Sequence, residues 1–293
     1  MGHGGYSTVT RSLRSASKGY ATKSSQEIFK QRNINNAMSP YGLRIRESRD
    51  SKEHPNSFPI IIALDVTGSM GSVPHFLVKE GLPVIMENII SAGIADPQVL
   101  FLGIGDHECD EAPVQVGQFE SSDELLDKWL TDIYMEGGGG GNNGESYLLA
   151  WYVAAKHTNS DSFMKRQQKG VLFTIGDEPT LHTFPGRDAK AIFGDGQYSN
   201  EYTVNELLED TMKNYDVYHI NINETSSGSR LHVHNGWKQL LSEHALFADR
   251  REDVVNIITD HVLSSYKNSE TAQTISVQED DVEHVVKDEE IIL

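Results

Sequence analysis

Asp65, Thr67 and Ser69 place one carboxylate and two hydroxyls at alternate positions directly behind an apolar run, with Gly68 removing the side chain that would crowd a tight turn. A loop that curls there aims such side chains at one point. Hard oxygen donors, few in number and leaving room for water, suit Mg²⁺ or Mn²⁺, whereas zinc prefers His and Cys. Read alone, Thr67 or Ser69 would equally cap the helix that follows. Two more apolar runs end in acids, at Asp106 and at Asp177. Between them lies Gly137–Gly141, followed by Asn142, Asn143 and Ser146. Consecutive glycines permit positive φ and close backbone approach, a freedom that a plain linker would waste.

Such residues need a rigid scaffold, and the sequence supplies one. Pro59–Leu64 is apolar without polar alternation and β-branched at Ile60, Ile61 and Ile62, as in a strand covered on both faces. Val99–Ile104, Val171–Gly176 and Asp216–Ile222 read as further strands, and Ala245–Phe247 as a short edge strand. Val114–Phe119 alternates at hairpin distance and predicts an antiparallel edge strand. Helices are predicted over Val73–Ala92, kinked near Gly81-Leu82 by Pro83, and over Ser121–Tyr134, Tyr147–His157, Thr203–Met212, Trp237–Glu243 and Glu252–Tyr266. This order predicts an α/β fold: a doubly wound, mostly parallel six-stranded sheet with one antiparallel edge strand and helices on both faces. Right-handed crossovers then gather the carboxyl ends of the strands, and with them Asp65, Asp106 and Asp177, on one face. Residues 181–202 are too long for an ordinary connection and predict an ordered insertion on that face.

Asp65-Val66-Thr67-Gly68-Ser69 resembles the Asp-x-Ser/Thr-x-Ser loop of von Willebrand factor type A (vWA) domains, whose metal-ion-dependent adhesion site (MIDAS) takes ligands from three loops. Counted back from Glu145, the glycine-rich stretch is similar to the family's Gly-Gly-Gly-Asp-x-Pro-Glu form, which puts Asn142 at the second-loop position in place of an acid and leaves Asn143 and Ser146 as alternatives. Asp177 falls where the family has its last metal-binding Asp. The resemblance therefore implies a metal set of Asp65, Thr67, Ser69, Asn142 and Asp177 around Mg²⁺, with Mn²⁺ or Ca²⁺ as alternatives. Asp106-His107 resembles an Asp-His of the same branch and would support that set. With few anions around it, the ion stays electrophilic and favours an incoming Asp or Glu from a partner protein. Intracellular members of the family often work with an AAA+ ATPase in assembling or remodelling complexes, so the resemblance implies such a partner.

Charge and composition narrow the field. Residues 1–57 carry ten Lys/Arg against four Asp/Glu; the remainder carries 15 against 39, within a net charge of −18. An acidic body repels nucleic acid and anionic membrane and concentrates cations. The domain organisation read from this is a basic N-terminal arm over 1–56, partly ordered at most, a vWA domain over 57–267 and an acidic C-terminal tail over 268–293. The arm is a solvated tail, folds back on the body, or reaches for a partner; one short helix is predicted in it, at Ser25–Arg32. Val282, Val285, Val286, Ile291, Ile292 and Leu293 make the tail apolar enough for a docking peptide. No run approaches the roughly 18 apolar residues needed to cross a bilayer, and Met1–Gly5 lacks the pattern of a signal peptide. With the single cysteine Cys109 this points to a cytoplasmic protein.

A second function class is an enzyme. Asp65–Met70 also resembles the Asp-Lys-Thr-Gly-Thr-Leu of haloacid-dehalogenase-type phosphoryl-transfer proteins, with Asp65 as nucleophile and Mg²⁺ clamping the phosphoryl group. Against it, the dipeptide's lysine is Val66, the second strand ends in Gly103-Ile104-Gly105 with no Ser or Thr, and Lys169 lies too close to its strand. His219, inside an apolar strand, reads as a core histidine, and His232-Val233-His234 as a surface loop without a third ligand. Gly137–Gly141 lacks the lysine of a nucleotide-binding loop.

Overall fold

In β2 (Phe58–Asp65) alternate residues enter different cores: Ile60, Ile62 and Leu64 pack on one face of the sheet, Ile61 and Ala63 on the other. That double burial is why the run carries no polar alternation. The computed structural model describes residues 4–68, 70, 72–137, 142 and 144–269. Around β2 stand β3 (Pro97–Ile104), β4 (Val114–Val116), β6 (Gly170–Gly176), β9 (Tyr215–Ile222) and β10 (Ala245–Ala248). They form a six-stranded sheet in the order β10-β9-β6-β2-β3-β4, parallel throughout except for the β3–β4 pair at one edge. This is the doubly wound architecture expected from the sequence. Edge strand β4 carries a buried Gln115, whose amide bonds both the N–H and the C=O of Tyr134 at 2.8 Å, which accounts for its alternating pattern.

One face is covered by α3 (Ser72–Phe76), a π-helical turn (Leu77–Gly81), α4 (Leu82–Ser91), α5 (Asp123–Thr131) and α11 (253–269). The break predicted near Gly81-Leu82 is this π turn, which ends at Gly81; α4 starts at Leu82 with Pro83, which has no N–H to donate, in its first turn. The opposite face carries α6 (Leu148–His157), α8 (Gly186–Phe193), α9 (Val204–Met212) and α10 (Leu231–Leu241). Residues 181–202 form an ordered unit: β7 (Thr183–Pro185) pairs antiparallel with β8 (Glu201–Thr203), with α8 between them. The His232/His234 pair lies on α10, correcting the expected loop; His234 Nε2 sits 2.7 Å from the Gly228 carbonyl oxygen.

The N-terminal segment departs from expectation. Where the sequence predicts one short helix and at most partial order, the structure has α1 (Thr8–Lys18), α2 (Ser25–Ile28), a 3-10 turn (Asn36–Met38) and β1 (Arg46–Ser48). β1 pairs with β5 (Thr158–Ser160), which leads into α7 (Asp161–Arg166). Tyr20, Ile28, Phe29 and Met38 join the main core. Of the three fates open to the arm, it folds back: Arg14 meets Asp123 at 2.6 Å, Lys18 meets Asp127 at 2.7 Å and Arg49 meets Asp161 at 2.8 Å. Periodicity could not reveal this, because the anchors are scattered singly among polar residues. The acidic tail reading at 268–293 lies outside the described residues from 270 onward.

Candidate functional site

Asp65 is the last residue of β2 and pairs with Ile104 of β3; on the other side Leu64 pairs with Ile175 of β6, so Asp65 stands level with Gly176 and Asp177 comes one residue later. The chain runs from β2 outward to β3 and β4, then returns across β2 to β6 and continues to β9 and β10. Connections from β2 and β6 thus leave in opposite directions, and Asp65 and Asp177 flank the switch point where such sheets open a crevice at their carboxyl ends.

The Asp65 side chain is fully buried. Its Oδ1 accepts from the Thr67 N–H at 2.9 Å and the Thr67 hydroxyl at 2.6 Å, and its Oδ2 accepts from the Tyr147 hydroxyl at 2.6 Å. Burial, and after it the charge of Asp177, push this carboxyl up against the bonds from Thr67 and Tyr147 that hold it down, and the balance stands at about 6. Asp177 is buried beside it. Ser69 lies outside the described residues.

The glycine-rich loop passes close by. Glu136 N–H donates to the Val66 carbonyl at 3.2 Å, and Glu145 bridges to Thr180 with its N–H on the Pro179 carbonyl at 2.9 Å. Gly144 has room for no side chain: a Cβ there would stand 2.8 Å from that carbonyl. Glu145 Oε2 is buried with no hydrogen-bond partner, and burial together with Asp65, Asp110, Asp106 and Glu178 raises its carboxyl to about 9. Asn142 is placed elsewhere in the loop: its amide nitrogen donates to Asp106 Oδ2 at 2.7 Å and to Glu108 Oε2 at 2.8 Å. Asp106 is itself a hub, with Oδ1 accepting from the Glu108 N–H at 2.9 Å and standing 3.4 Å from the Ser146 hydroxyl. That hydroxyl also accepts from the His107 N–H at 2.9 Å and lies 2.7 Å from His107 Nδ1, whose protonation burial opposes.

Of the residues singled out in the sequence, the structure brings Asp65, Thr67 and Asp177 together, and Asn142 with Asp106, Glu108 and Ser146 in an adjoining cluster. Sequence reasoning missed Tyr147 and used Glu145 only as a counting mark. The signal for Tyr147 was Gly176, where a Cβ would fall 1.8 Å from the Tyr147 oxygen: a glycine reserved for one hydroxyl. His219 is a core histidine stacked on Trp237, ring centroids 3.4 Å apart, with Nδ1 2.9 Å from the Thr174 hydroxyl. Burial drives its pKa well below the ordinary histidine value.

The donors around Asp65 are carboxylate and hydroxyl oxygens, and among the described residues Asp65 and Glu145 have no ion pair, so a hard cation fits the chemistry on offer. Among the described residues, no group of three or more His, Cys, Asp or Glu is arranged to hold a metal on its own. The phosphoryl-transfer alternative gains no support: Lys169 precedes β6, at the opposite end of the strand from Asp177, and its Nζ is held 2.6 Å from the Met212 carbonyl oxygen.

No model of a known protein family and no curated protein matches the chain. Solved structures do. The pilus adhesin SpaC of Lactobacillus rhamnosus GG, in an open conformation, is similar with a TM-score of 0.50 and 10% identity over 75% of this chain and 31% of the adhesin. Proximal thread matrix protein 1 from the mussel byssus gives 0.45 and 11%, over 71% and 48%. A von Willebrand factor type A protein from Catenulispora acidiphila gives 0.41 and 9%, over 72% and 43%. The chain spans less than half the length of each of these proteins, and at such identities the likeness concerns the fold alone. The six-stranded sheet, parallel but for one strand pair and flanked by helices, is a mixed α/β fold consistent with the vWA and Rossmann-like kind.

Proposed function

We propose that this protein is a protein-interaction module whose site at the carboxyl ends of β2 and β6 holds a divalent cation and captures an acidic side chain of a partner. One observation carries the reading: Asp65, buried at the switch point, is pressed by the charge of Asp177 and held in place by Thr67 and Tyr147, with no cation of the protein paired to it among the described residues. Two buried carboxylates facing one crevice are a standing electrostatic cost, and a bound cation offsets it. Asp65, Thr67, Ser69 and Asp177 would hold the ion, with Asn142 on the second loop, and Mg²⁺ suits these oxygens, with Mn²⁺ or Ca²⁺ as alternatives. When bound, the ion supplies a Lewis-acidic position for an external carboxylate. The chain's own residues do the rest: Thr67 and Tyr147 fix both oxygens of Asp65, and Gly144 and Gly176 let the loop and α6 close on the strand ends. By the family resemblance, such a module would serve the assembly or remodelling of a complex, together with an AAA+ ATPase.

The test is calorimetric titration of the full chain with MgCl₂, beside Asp65→Ala and Asp177→Asn. A single saturable site lost in both variants is the expected result. Magnesium binding that is absent from the native chain, or unchanged in both variants, overturns the metal site. Recovery of binding proteins in Mg²⁺ but not in EDTA tests the capture step.

A further inference from the structure

Between α10 and the start of α9 runs a groove of about 360 Å³ to which the candidate site assigns no role. Pro179, Thr180, Val204, Gly236, Trp237 and Leu240 are among the residues that line it. None of its described lining residues is Asp, Glu, Lys or Arg, on a chain whose net charge is −18. Mostly apolar concavities with a few polar groups are where uncharged ligand groups bury their surface. Gly236 keeps one wall open. It lies inside α10 without a positive φ, and a Cβ built on it would meet nothing within 4 Å. Neither backbone conformation nor crowding calls for glycine there, and glycine weakens a helix interior relative to alanine. The fold does not account for this residue, whereas a groove that must stay open does.

The groove is joined to the strand ends that carry the acids. Trp237, the most buried residue of its lining, donates from Nε1 to the Glu178 carbonyl at 3.1 Å, one residue after Asp177. The same ring meets Tyr147 edge-on with centroids 5.5 Å apart, and the Tyr147 hydroxyl is the one that bonds Asp65 at 2.6 Å. Pro179 and Thr180, also in the lining, are the residues to which Glu145 of the glycine-rich loop is bridged. Through these contacts Asp65 lies within about 11 Å of the Trp237 ring, a span that about three residues of extended chain cover.

We propose that this groove receives a large apolar side chain, of the size of Leu or Phe, two or three residues away from the acid that the same partner presents to the cation. The inference rests on the metal-dependent capture read above and names the partner's chemistry: an extended segment that pairs an Asp or Glu with an uncharged apolar anchor. Burying that anchor beside Trp237 supplies affinity that a lone carboxylate on the ion lacks, and it decides which acids are taken.

The probes are the capped tripeptides Asp-Gly-Leu, Asp-Gly-Ser and Asn-Gly-Leu, titrated into the full chain in MgCl₂ while the Trp237 indole N–H is followed by nuclear magnetic resonance. Asp-Gly-Leu is expected to bind about fivefold to tenfold tighter than Asp-Gly-Ser and to shift the Trp237 signal, which Asp-Gly-Ser leaves in place. Gly236→Leu, which fills the groove, should abolish that preference; Gly236→Ala, a better helix former than the native glycine, should lower it in part. Equal affinity for the two acidic peptides, or a preference that Gly236→Leu leaves intact, overturns the groove proposal and leaves capture at the cation standing. If neither acidic peptide responds to removal of Mg²⁺ by EDTA, capture itself fails and the groove inference falls with it. Asn-Gly-Leu binding as tightly as Asp-Gly-Leu overturns the shared partner in favour of a site for free apolar molecules. Gly236 is exposed, so both substitutions spare the core, and a thermal melt checks this.

Discussion

At the scale of single residues, Asp65 and Glu145 tie the candidate site to pH. Burial and like charge raise Asp65 from 3.8 to about 6 and Glu145 from 4.5 to about 9. An acid with a raised folded-state pKa is bound more tightly to its proton when folded, so ionising it costs stability as pH climbs from the unfolded value through the folded one. In EDTA the melting temperature should therefore fall between pH 5.5 and pH 8.5. Mg²⁺ should restore it, and more so at the higher pH, since the ion competes with the proton for the same oxygens. Asp65→Asn should flatten the Asp65 part of the slope and abolish the magnesium effect. A metal-free protein that grows more stable across that range would contradict both the assigned shifts and the cation reading.

At the scale of elements, the site depends on how closely α6 approaches the end of β6. Tyr147 stands directly before α6 and reaches over Gly176 to Asp65, and no other residue at 176 leaves space for it. Gly176→Ala should cost about 1–3 kcal/mol in urea unfolding, because the added methyl displaces the Tyr147 ring or the strand end. It should weaken magnesium binding as well, by releasing Asp65 Oδ2. A variant with native stability and native magnesium affinity would show that this contact is not what orders the site. The π turn before Pro83 is an element-scale feature too. Within it, Gly81 stands where a Cβ would come within 2.9 Å of Leu77 Cδ2.

For the whole molecule, the N-terminal segment belongs to the body of the fold. Asp50 shows how firmly it is tied: burial opposes its ionisation, yet bonds from Arg166, Ser57 and Lys165 hold it at about 2, below the ordinary 3.8. A depressed carboxylate contributes stability that is present above 3.8 and lost as pH falls through 2. Met38 is completely buried in the main core although it lies far from β2 in sequence. Met38→Ala should cost about 2–5 kcal/mol and should do so within a single urea transition. An unchanged midpoint, or a separate early transition, would mean that the segment is a detachable arm after all.

The sheet was legible because strands covered on both faces must be apolar throughout, and Pro59–Leu64, Val99–Ile104 and Val171–Gly176 announce that without help from the rest of the chain. The acids that end them were legible for the same reason, since a carboxylate stops an apolar run. Pro83 marked the break in α3–α4 because the chemistry of a missing N–H is local. Three things only tertiary contact decided: that Tyr147 meets Asp65 over Gly176, that the Asn142 amide turns to Asp106 and Glu108, and that the basic segment lies down on α5. Each joins residues far apart in the chain, where periodicity carries no information and which pairs meet depends on how the layers close.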